Sequence, residues 1–475
     1  MPQIFINGTP VQAEPNQTVL QAALANGFFI PYFCWHPKLS VAGNCRMCTI
    51  QIEGRSWVEI ACNTPVSEGL RVLTDSDLVR ESRKATMQFI TLNHPVDCGI
   101  CDKSGECTLQ DYHFAYNGSP SISSEPKVRL TKFFDLGKRI TLDNERCILC
   151  TRCVRFTTEV SKSRALGVLE RGETSVIRPA DDASLDDDPY SDNIIDICPV
   201  GALLSRDFLY KSRVWYLKAT PSICPGCSRG CTVKIWHRKP EWRFKSLDAR
   251  HNTTIARVTP LENPAVNGPW ICNKGRDLAR IFERPRATQA MLKGRPASLE
   301  DVLAAARRLI AQARKPVALI SSWGSSEELA VFKSTLGSAF TCLVKEDMRP
   351  VEGERIEDDL LIRADKNPNT ARARELFGEA AASLPADADL VLVWGEGFDF
   401  NSLPRGAAVI FLNAFLQPEN GFADGFLPVS LQTERSGSYT NCTGGVSTFQ
   451  PCFEKPPGVV DAASVFAAMA AEVAS

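Results

Sequence analysis

The sequence predicts a multidomain chain, α+β in its first part and α/β at its end, on three observations. Its 475 residues exceed what one hydrophobic core organises. Fifteen of its 18 cysteines fall before residue 273, in spaced groups set in irregular, turn-rich segments. After residue 290 the pattern changes to short apolar runs alternating with helical stretches, as in a buried parallel sheet.

Composition narrows the function classes. The 54 basic and 55 acidic residues nearly cancel, so nothing favours nucleic acid or acidic lipid. No apolar run approaches the ~20 residues that span a bilayer, and direct membrane insertion is not expected. Met1 to Asn7 lacks the charged-then-apolar pattern of a signal peptide. The expected place is the cytosol or the cytosolic face of a membrane. There, clustered cysteines point to metal rather than disulfides. A disulfide framework would need export and would not favour Cys-x-x-Cys, which occurs five times.

The elements follow in order. Gln3 to Ile6 and Val11 to Glu14 flank Asn7-Gly8, a hairpin-turn signal. Thr18 reads as the N-cap of a helix through Ala25, with Gly27 just past its end. A long loop carrying Cys34, Cys45 and Cys48 precedes the strand Thr49 to Glu53. Hairpin, helix and cysteine loop suit a β-grasp ferredoxin domain. From Ser76 to Leu92 a helix is expected, with Leu78, Met87, Phe89 and Ile90 as its apolar positions, leading to His94-Pro95. The acidic stretch Asp181 to Asp188 reads as a solvated loop. From Val214 to Asp277, Trp215, Tyr216, Trp236, Trp242 and Trp270 are expected to form a small core around a metal. Leu299 to Ala313 has helical spacing. Val317 to Ser321, Leu390 to Trp394 and Ala408 to Leu412 read as buried parallel strands, and Ala318 to Leu329 as a strand–glycine–helix unit. Cys342, Cys442 and Cys452 stand alone and are read as structural.

Four groups carry the chemistry. Cys34, Cys45, Cys48 and Cys62 form C-x10-C-x2-C-x13-C, which suits a [2Fe–2S] rhomb. Gly43 fits a loop whose backbone approaches inorganic sulfide. His94, Cys98, Cys101 and Cys107 form H-x3-C-x2-C-x5-C. A neutral imidazole in place of one thiolate makes the site less negative and favours its reduced state. Cys147, Cys150 and Cys153 with the distant Cys198-Pro199 give the ferredoxin-type [4Fe–4S] pattern. Cys224, Cys227, Cys231 and Cys272 fit either a [4Fe–4S] cluster or a four-cysteine zinc staple, which spacing alone does not separate. Gly395-Glu396-Gly397 is only a fragment of a glycine-rich loop. No nicotinamide, flavin or heme signature and no catalytic constellation stands out, so the chain is read as carrying electrons without a substrate site of its own.

The segments "HPVDCGICDKSGECTLQDY", "ERCILCTRCVRF" and "NIIDICPVGAL" closely resemble the G (75 kDa) subunit family of bacterial NADH:quinone oxidoreductase, respiratory complex I. With the N-terminal ferredoxin-like region, the resemblance covers roughly residues 1 to 215. "RVWYLKATPSICPGCSRGC" through "WICNKGR" resembles the extra-cluster domain of some bacterial members. The resemblance implies an electron relay in the peripheral arm of a proton-translocating, membrane-bound complex, on the cytoplasmic side of the bacterial inner membrane. Electrons would pass from the flavin- and NADH-binding subunit toward quinone. It implies one [2Fe–2S] and three [4Fe–4S] clusters, the last of them off the main path. It also implies partnership with the other peripheral-arm subunits.

The segments "LLIRADKNPNTARARELFG" and "ERSGSYTNCTGG" look like remnants of the molybdopterin-oxidoreductase-like domain of this family. Only about 185 residues follow position 290, so a truncated α/β scaffold without molybdopterin is expected. The boundaries so read are 1–80 for the [2Fe–2S] domain, 81–213 for the two [4Fe–4S] sites, 214–290 for the fourth group and 291–475 for the scaffold. The alternative is a diaphorase-linked relay subunit of a soluble NAD-dependent hydrogenase or formate dehydrogenase. A hydrogenase active-site domain would need more cysteines after residue 272, where only three follow. A zinc-stapled scaffold would explain neither the histidine-first group nor the Cys-Pro ending.

Overall fold

A computed structural model describes residues 1–180, 184–243, 252–379 and 383–471. The chain divides into two compact units, Met1–Trp215 and Tyr216–Ser475.

The first unit opens with β1 (Gln3–Ile6) and β2 (Thr9–Gln12), an antiparallel hairpin. Asn7 and Gly8 both take positive φ, 51° and 81°, as a two-residue type I′ turn requires. Thr18 and Gln21 form a reciprocal capping box at the start of the Val19–Ala25 helix. Strands β3 (Thr49–Ile52), β4 (Val58–Ile60) and β5 (Arg71–Leu73) complete a sheet of order β2-β1-β5-β3-β4, with β5 parallel to β1. Ile4, Ile6, Ile50 and Val72 pack on Val19, Leu20, Ala22 and Ala23 of the helix. The hairpin, helix and following strand expected from the sequence are all present.

Ser76 caps the Asp77–Asn93 helix, but its buried face differs from the expected one. Val79, Arg83 and Met87, four residues apart, are buried, whereas Phe89 is 71% exposed. Arg83 gains its place by donating to the Thr49 carbonyl at 2.8 Å and lying over the Tyr116 ring. Further on lie β6 (Phe134–Asp135), β7 (Ile140–Leu142), β8 (Leu166–Leu169), β9 (Val176–Pro179) and β10 (Leu203–Ser205). They form the sheet β10-β7-β6 and the hairpin β8-β9. The acidic stretch is only partly the solvated loop expected. Residues 181–183 lie outside the described ones, and Asp186 and Asp187 are exposed. Asp188 is buried, where it accepts from the Tyr190 N–H and the Ser163 hydroxyl, each at 2.8 Å.

The second unit begins with a three-stranded antiparallel sheet, β11 (Leu217–Ile223), β12 (Thr232–Arg238) and β13 (Ile255–Pro260). Trp270 is buried near it, but Trp215 and Trp242 are 46% and 43% exposed, so the expected aromatic core holds only in part. Trp236 instead stacks under Arg257 and donates to Thr259. His237 is buried beside the Thr220 hydroxyl, 2.8 Å away. Burial first, then Arg243 and Lys218, holds its imidazole below the ordinary value. A depressed folded value contributes stability that is present above the ordinary pH of about 6.5 and lost as pH falls below it. Replacing His237→Gln is therefore expected to flatten the acid limb of a stability–pH curve, read by denaturant unfolding from pH 7.5 to 5. An unchanged limb would count against this coupling.

Next come β14 (Met291–Leu292) and β15 (Arg295–Pro296), then β16 (Pro316–Ser321), β17 (Thr341–Lys345), β18 (Leu390–Trp394), β19 (Ala408–Asn413) and β20 (Gly425–Pro428). They make one sheet of order β15-β14-β20-β19-β18-β16-β17, in which β16 to β20 run parallel. Alternate residues serve opposite faces. Ala318, Ile320, Leu392, Ile410 and Leu412 meet helices Leu299–Gln312, Ser326–Thr335 and Ala462–Ala470 on one side. Val317, Leu319, Val391, Val393 and Phe411 form a second cluster. Burial on both faces is why these strands read as continuous apolar runs. The hairpin of β21 (Gly437–Thr440) and β22 (Val446–Phe449) follows. Cys342 is half-buried and Cys452 buried; Cys442 is exposed, its N–H bonded to the Ser228 carbonyl.

Candidate metal centres

The first group is assembled by the β3–β4 pair. Thr49 faces Ile60, so Cys48 just before one strand meets the turn after the other, where the Ala61 N–H bonds the Cys48 carbonyl at 2.8 Å. Cys62 follows directly. Cys34 lies on the long loop and its N–H donates to Cys45 Sγ at 3.4 Å. The four sulfurs thus fall into two pairs. Cys34 is lowered to about 5 by hydrogen bonding from Cys45, and Cys62 is lowered by Cys48, while Cys45 and Cys48 are raised. Positive φ at Gly43 and Arg46 bends the loop around them. Two pairs of thiols fit a rhomb whose irons each take two thiolates.

The second group starts where a helix stops. His94 is the C-cap of Asp77–Asn93, and its backbone is extended, as a residue before proline prefers. Its Nδ1 is buried with no hydrogen-bond partner. Burial, then the Arg146 charge, lowers its imidazole to about 4, leaving it neutral with a free lone pair at pH 7. An orphaned buried nitrogen of this kind fits a metal ligand. Cys101 is buried, Cys107 half-buried and Cys98 exposed. Burial raises Cys101, and raises Cys107 to about 11.

In the third group Cys147, Cys150, Cys153 and Cys198 line one cavity with Leu142, Ile148, Ile177 and Val200. Positive φ at Leu149 (52°) and Thr151 (58°) coils the loop so that successive thiols turn inward. Cys153 then enters the Arg152–Glu159 helix, and Cys198 caps the end of Asn193–Ile197. Burial raises Cys150 to about 11 and Cys153 well above its ordinary value, and the neighbouring thiols add to both. Four thiolates in an apolar cavity repel one another, so a cationic cluster fits the donor set.

Cys224, Cys227 and Cys231 occupy the turn between β11 and β12, where the Cys224 N–H bonds the Cys231 carbonyl at 2.8 Å. Cys272 arrives just ahead of the Asn273–Arg276 turn. Gly275 lies against both sulfurs: a Cβ there would stand 3.3 Å from Cys224 Sγ, a tight contact, and 3.9 Å from Cys272 Sγ. Burial raises Cys272 to about 11 and pushes Cys224 and Cys231 well up. Among the described residues, no three of His, Cys, Asp and Glu are arranged to hold a single metal ion. A cluster asks for something else, one or two thiolates on each of several irons.

Residues that spacing did not single out join the first three groups. Arg155 Nη2 donates to the Cys34 carbonyl at 2.5 Å and to the Cys150 carbonyl at 3.1 Å. Arg152 donates to the carbonyls of Trp35 and Ile197, at 2.6 and 2.9 Å. Asn44 donates to the Leu149 carbonyl at 2.9 Å. The first loop is thereby stitched to the third. On the other side the Thr108 N–H, next to Cys107, donates to the Pro199 carbonyl at 3.0 Å. Gly201 abuts Cys101, and a Cβ there would sit 2.2 Å from its sulfur. The three groups follow one another as first, third, second. Their only sequence signal is the arginines within "ERCILCTRCVRF".

In the second unit a cavity of ≈ 70 Å³ opens beyond the carboxyl ends of β16, β18, β19 and β20, lined by Ser321, Trp323, Asp347, Trp394, Glu396 and Gln432. It lies where the strand order reverses about β16, the usual ligand position of an open α/β sheet.

Family models match in series along the chain. Residues 2–77 match a 2Fe-2S iron-sulfur cluster binding domain, and 83–119 the NADH-ubiquinone oxidoreductase-G iron-sulfur binding region. Residues 137–204 match the ferredoxin-like domain of NADH-quinone oxidoreductase subunit 3, and 217–284 the molybdopterin oxidoreductase Fe4S4 domain. The NADH-quinone oxidoreductase G subunit of Rickettsia typhi is 38% identical over 276 residues, 58% of this chain and 39% of the relative. The chain is a homologue of such G subunits. The mitochondrial NADH dehydrogenase [ubiquinone] iron-sulfur protein 1 of Solanum tuberosum is also 38% identical, over 62% of this chain and 38% of its own length. The corresponding G subunit of Rickettsia conorii is 33% identical over 71% of this chain and 49% of the relative. The chain thus spans less than half the length of these relatives. A chain of an NAD+-reducing [NiFe]-hydrogenase in the H2-reduced state is 30% identical, with 45% of this chain and 91% of that one covered. Its TM-score is 0.41.

Proposed function

We propose that this chain is an iron–sulfur electron-relay subunit in the peripheral arm of an NADH:quinone oxidoreductase, on the cytoplasmic side of a bacterial inner membrane. The observation that carries the reading is the continuous contact of three ligand groups, joined at Arg155 and at Gly201. Cys34 and Cys45, with Cys48 and Cys62, would hold a [2Fe–2S] cluster. His94, Cys98, Cys101 and Cys107 would hold one [4Fe–4S] cluster, and Cys147, Cys150, Cys153 and Cys198 another. Cys224, Cys227, Cys231 and Cys272 would hold a third. When bound, these clusters supply one-electron oxidation and reduction.

The chain's own residues shield most of the sulfurs from water, fix the spacing between sites and set the charge around each. Leu142, Ile177 and Val200 seal the third site. Arg152 and Arg155 hold the first loop against it. The partners are a flavin- and NADH-binding subunit and other peripheral-arm subunits. Among the described residues no helix is long and apolar enough to cross a membrane, which suits attachment through such partners. The domains are 1–80, 81–213, 214–290 and 291–475, the first a β-grasp [2Fe–2S] ferredoxin. The last is a molybdopterin-oxidoreductase-like α/β scaffold that works without that cofactor.

The test is iron, zinc and acid-labile sulfide per chain after anaerobic purification. About 14 iron and no zinc are expected for one two-iron and three four-iron clusters. About ten iron with one zinc would turn the Cys224 group into a structural zinc site and leave the relay intact. Zinc without labile sulfide would overturn the relay itself.

A further inference from the structure

Arg146 is a buried cation that the ligand assignment leaves without a role. It is 2% exposed and directly precedes Cys147, yet it serves the second group rather than the third. Its Cδ and Cys101 Sγ both lie within 4 Å of the point where a Gly201 Cβ would stand. The guanidinium is pinned there, with Nη2 3.1 Å from Asp97 Oδ2 and Nε 3.2 Å from Asp143 Oδ2. The Phe133 ring lies below it, 5.8 Å away at the centroid. Asp97 itself sits between His94 and Cys98.

The surrounding charges are nearly balanced, and Arg146 is needed for that balance. Lys132 is 2.6 Å from Asp97, 3.5 Å from Asp143 and 3.0 Å from Glu145. Arg129 reaches Glu145 at 3.5 Å but is 79% exposed and screened. Without Arg146, the carboxylates of Asp97, Asp143 and Glu145 would face one ammonium and one solvent-exposed guanidinium. A fixed charge with little water around it acts strongly on a neighbouring redox centre.

We propose that Arg146 holds up the reduction potential of the His94/Cys98/Cys101/Cys107 centre, its positive charge stabilising the state that has gained one electron. No bond forms or breaks in this couple; the added negative charge is offset by the guanidinium. Asp97 opposes it. The inference rests on the proposed ligation of a four-iron cluster by these residues.

The experiment is a redox titration of the full chain followed by electron paramagnetic resonance, after iron and sulfide are counted. The signal of the second centre is identified by its change in His94→Cys. Arg146→Gln is expected to lower that midpoint by about tenfold in the reduction equilibrium, roughly 59 mV for a one-electron couple. Arg146→Lys should restore most of it, and Asp97→Asn should shift it upward. Opposite shifts from two partners of one ion pair are what a purely structural role does not produce. An unmoved midpoint in Arg146→Gln with full iron overturns the proposal. If that variant fails to assemble, Asp97→Asn decides, and a midpoint at or below the parent's overturns it. A parent chain without a histidine-sensitive four-iron signal would instead sink the ligand assignment, and the proposal with it.

Discussion

Replacing Cys198 by alanine is expected to remove about four iron and four sulfide atoms per chain, from about 14 iron to about ten, while the first and second centres stay loaded. Cys198 ends the Asn193–Ile197 helix and is 7% exposed in the cavity it shares with Cys147, Cys150 and Cys153. Among the described residues no other cysteine lines that cavity, so no further thiol there stands ready to replace it. The backbone beyond it, Pro199 to Gly201, keeps its own contacts to Thr108 and Cys101 and should hold the second site in place. The loss falls in the middle of the contact series. Reduction of the second centre by electrons entering at the first should therefore slow by orders of magnitude, while direct chemical reduction of both remains. Stopped-flow absorbance after reduction of the Cys34 centre would show this. A full iron count in Cys198→Ala would remove Cys198 from the ligand set.

Replacing Gly201 by alanine should be nearly as damaging, although the change is a single methyl group. The new carbon would stand 2.2 Å from Cys101 Sγ and 3.2 Å from Lys103 Cβ. Overpacking a well-filled site costs about 1–3 kcal/mol. Here the atom that must yield is a proposed ligand sulfur on a loop fixed by neighbouring contacts. Arg213 donates to the carbonyls of Gly99 and Cys101, and Gly105 is packed against Val214 and Trp215. With the loop so held, Cys101 would move out of reach of the cluster proposed there. Loss of about four iron from the second centre is expected, with the third retained. Metal analysis together with the histidine-sensitive resonance signal separates the two. A normal signal and normal iron in Gly201→Ala would show that the segment between the sites yields more easily than its packing implies.

Much of this was legible in the sequence because it is local. The hairpin rests on two residues with positive φ, Asn7 and Gly8; the first helix rests on Thr18 and Gln21 three residues apart. Strands β16, β18 and β19 are near-continuous apolar runs because both faces of their sheet are covered. Candidate ligands are equally local where Cys-x-x-Cys spacing sets them on one turn. Other features depended on partners far along the chain. Phe89 reads as a core residue, but Arg83 holds the buried face because Thr49 and Tyr116 offer it a carbonyl and a ring. Asp188 reads as part of a solvated run, but its carboxylate is buried against the Tyr190 N–H and takes a second donor from Ser163, 25 residues earlier.

The sequence by itself determined the ligand spacings, the turns and caps that present them, and the shift from a cysteine-rich first part to a parallel sheet. Tertiary structure alone decided which groups adjoin. Arg155 spans carbonyls 116 positions apart, those of Cys34 and Cys150, and Gly201 meets a sulfur 100 positions earlier. Such contacts leave no periodicity and no motif. They arise only when separately folded loops close on one another, and hydrogen bonds and close packing act over a few ångströms of space, however long the chain between them.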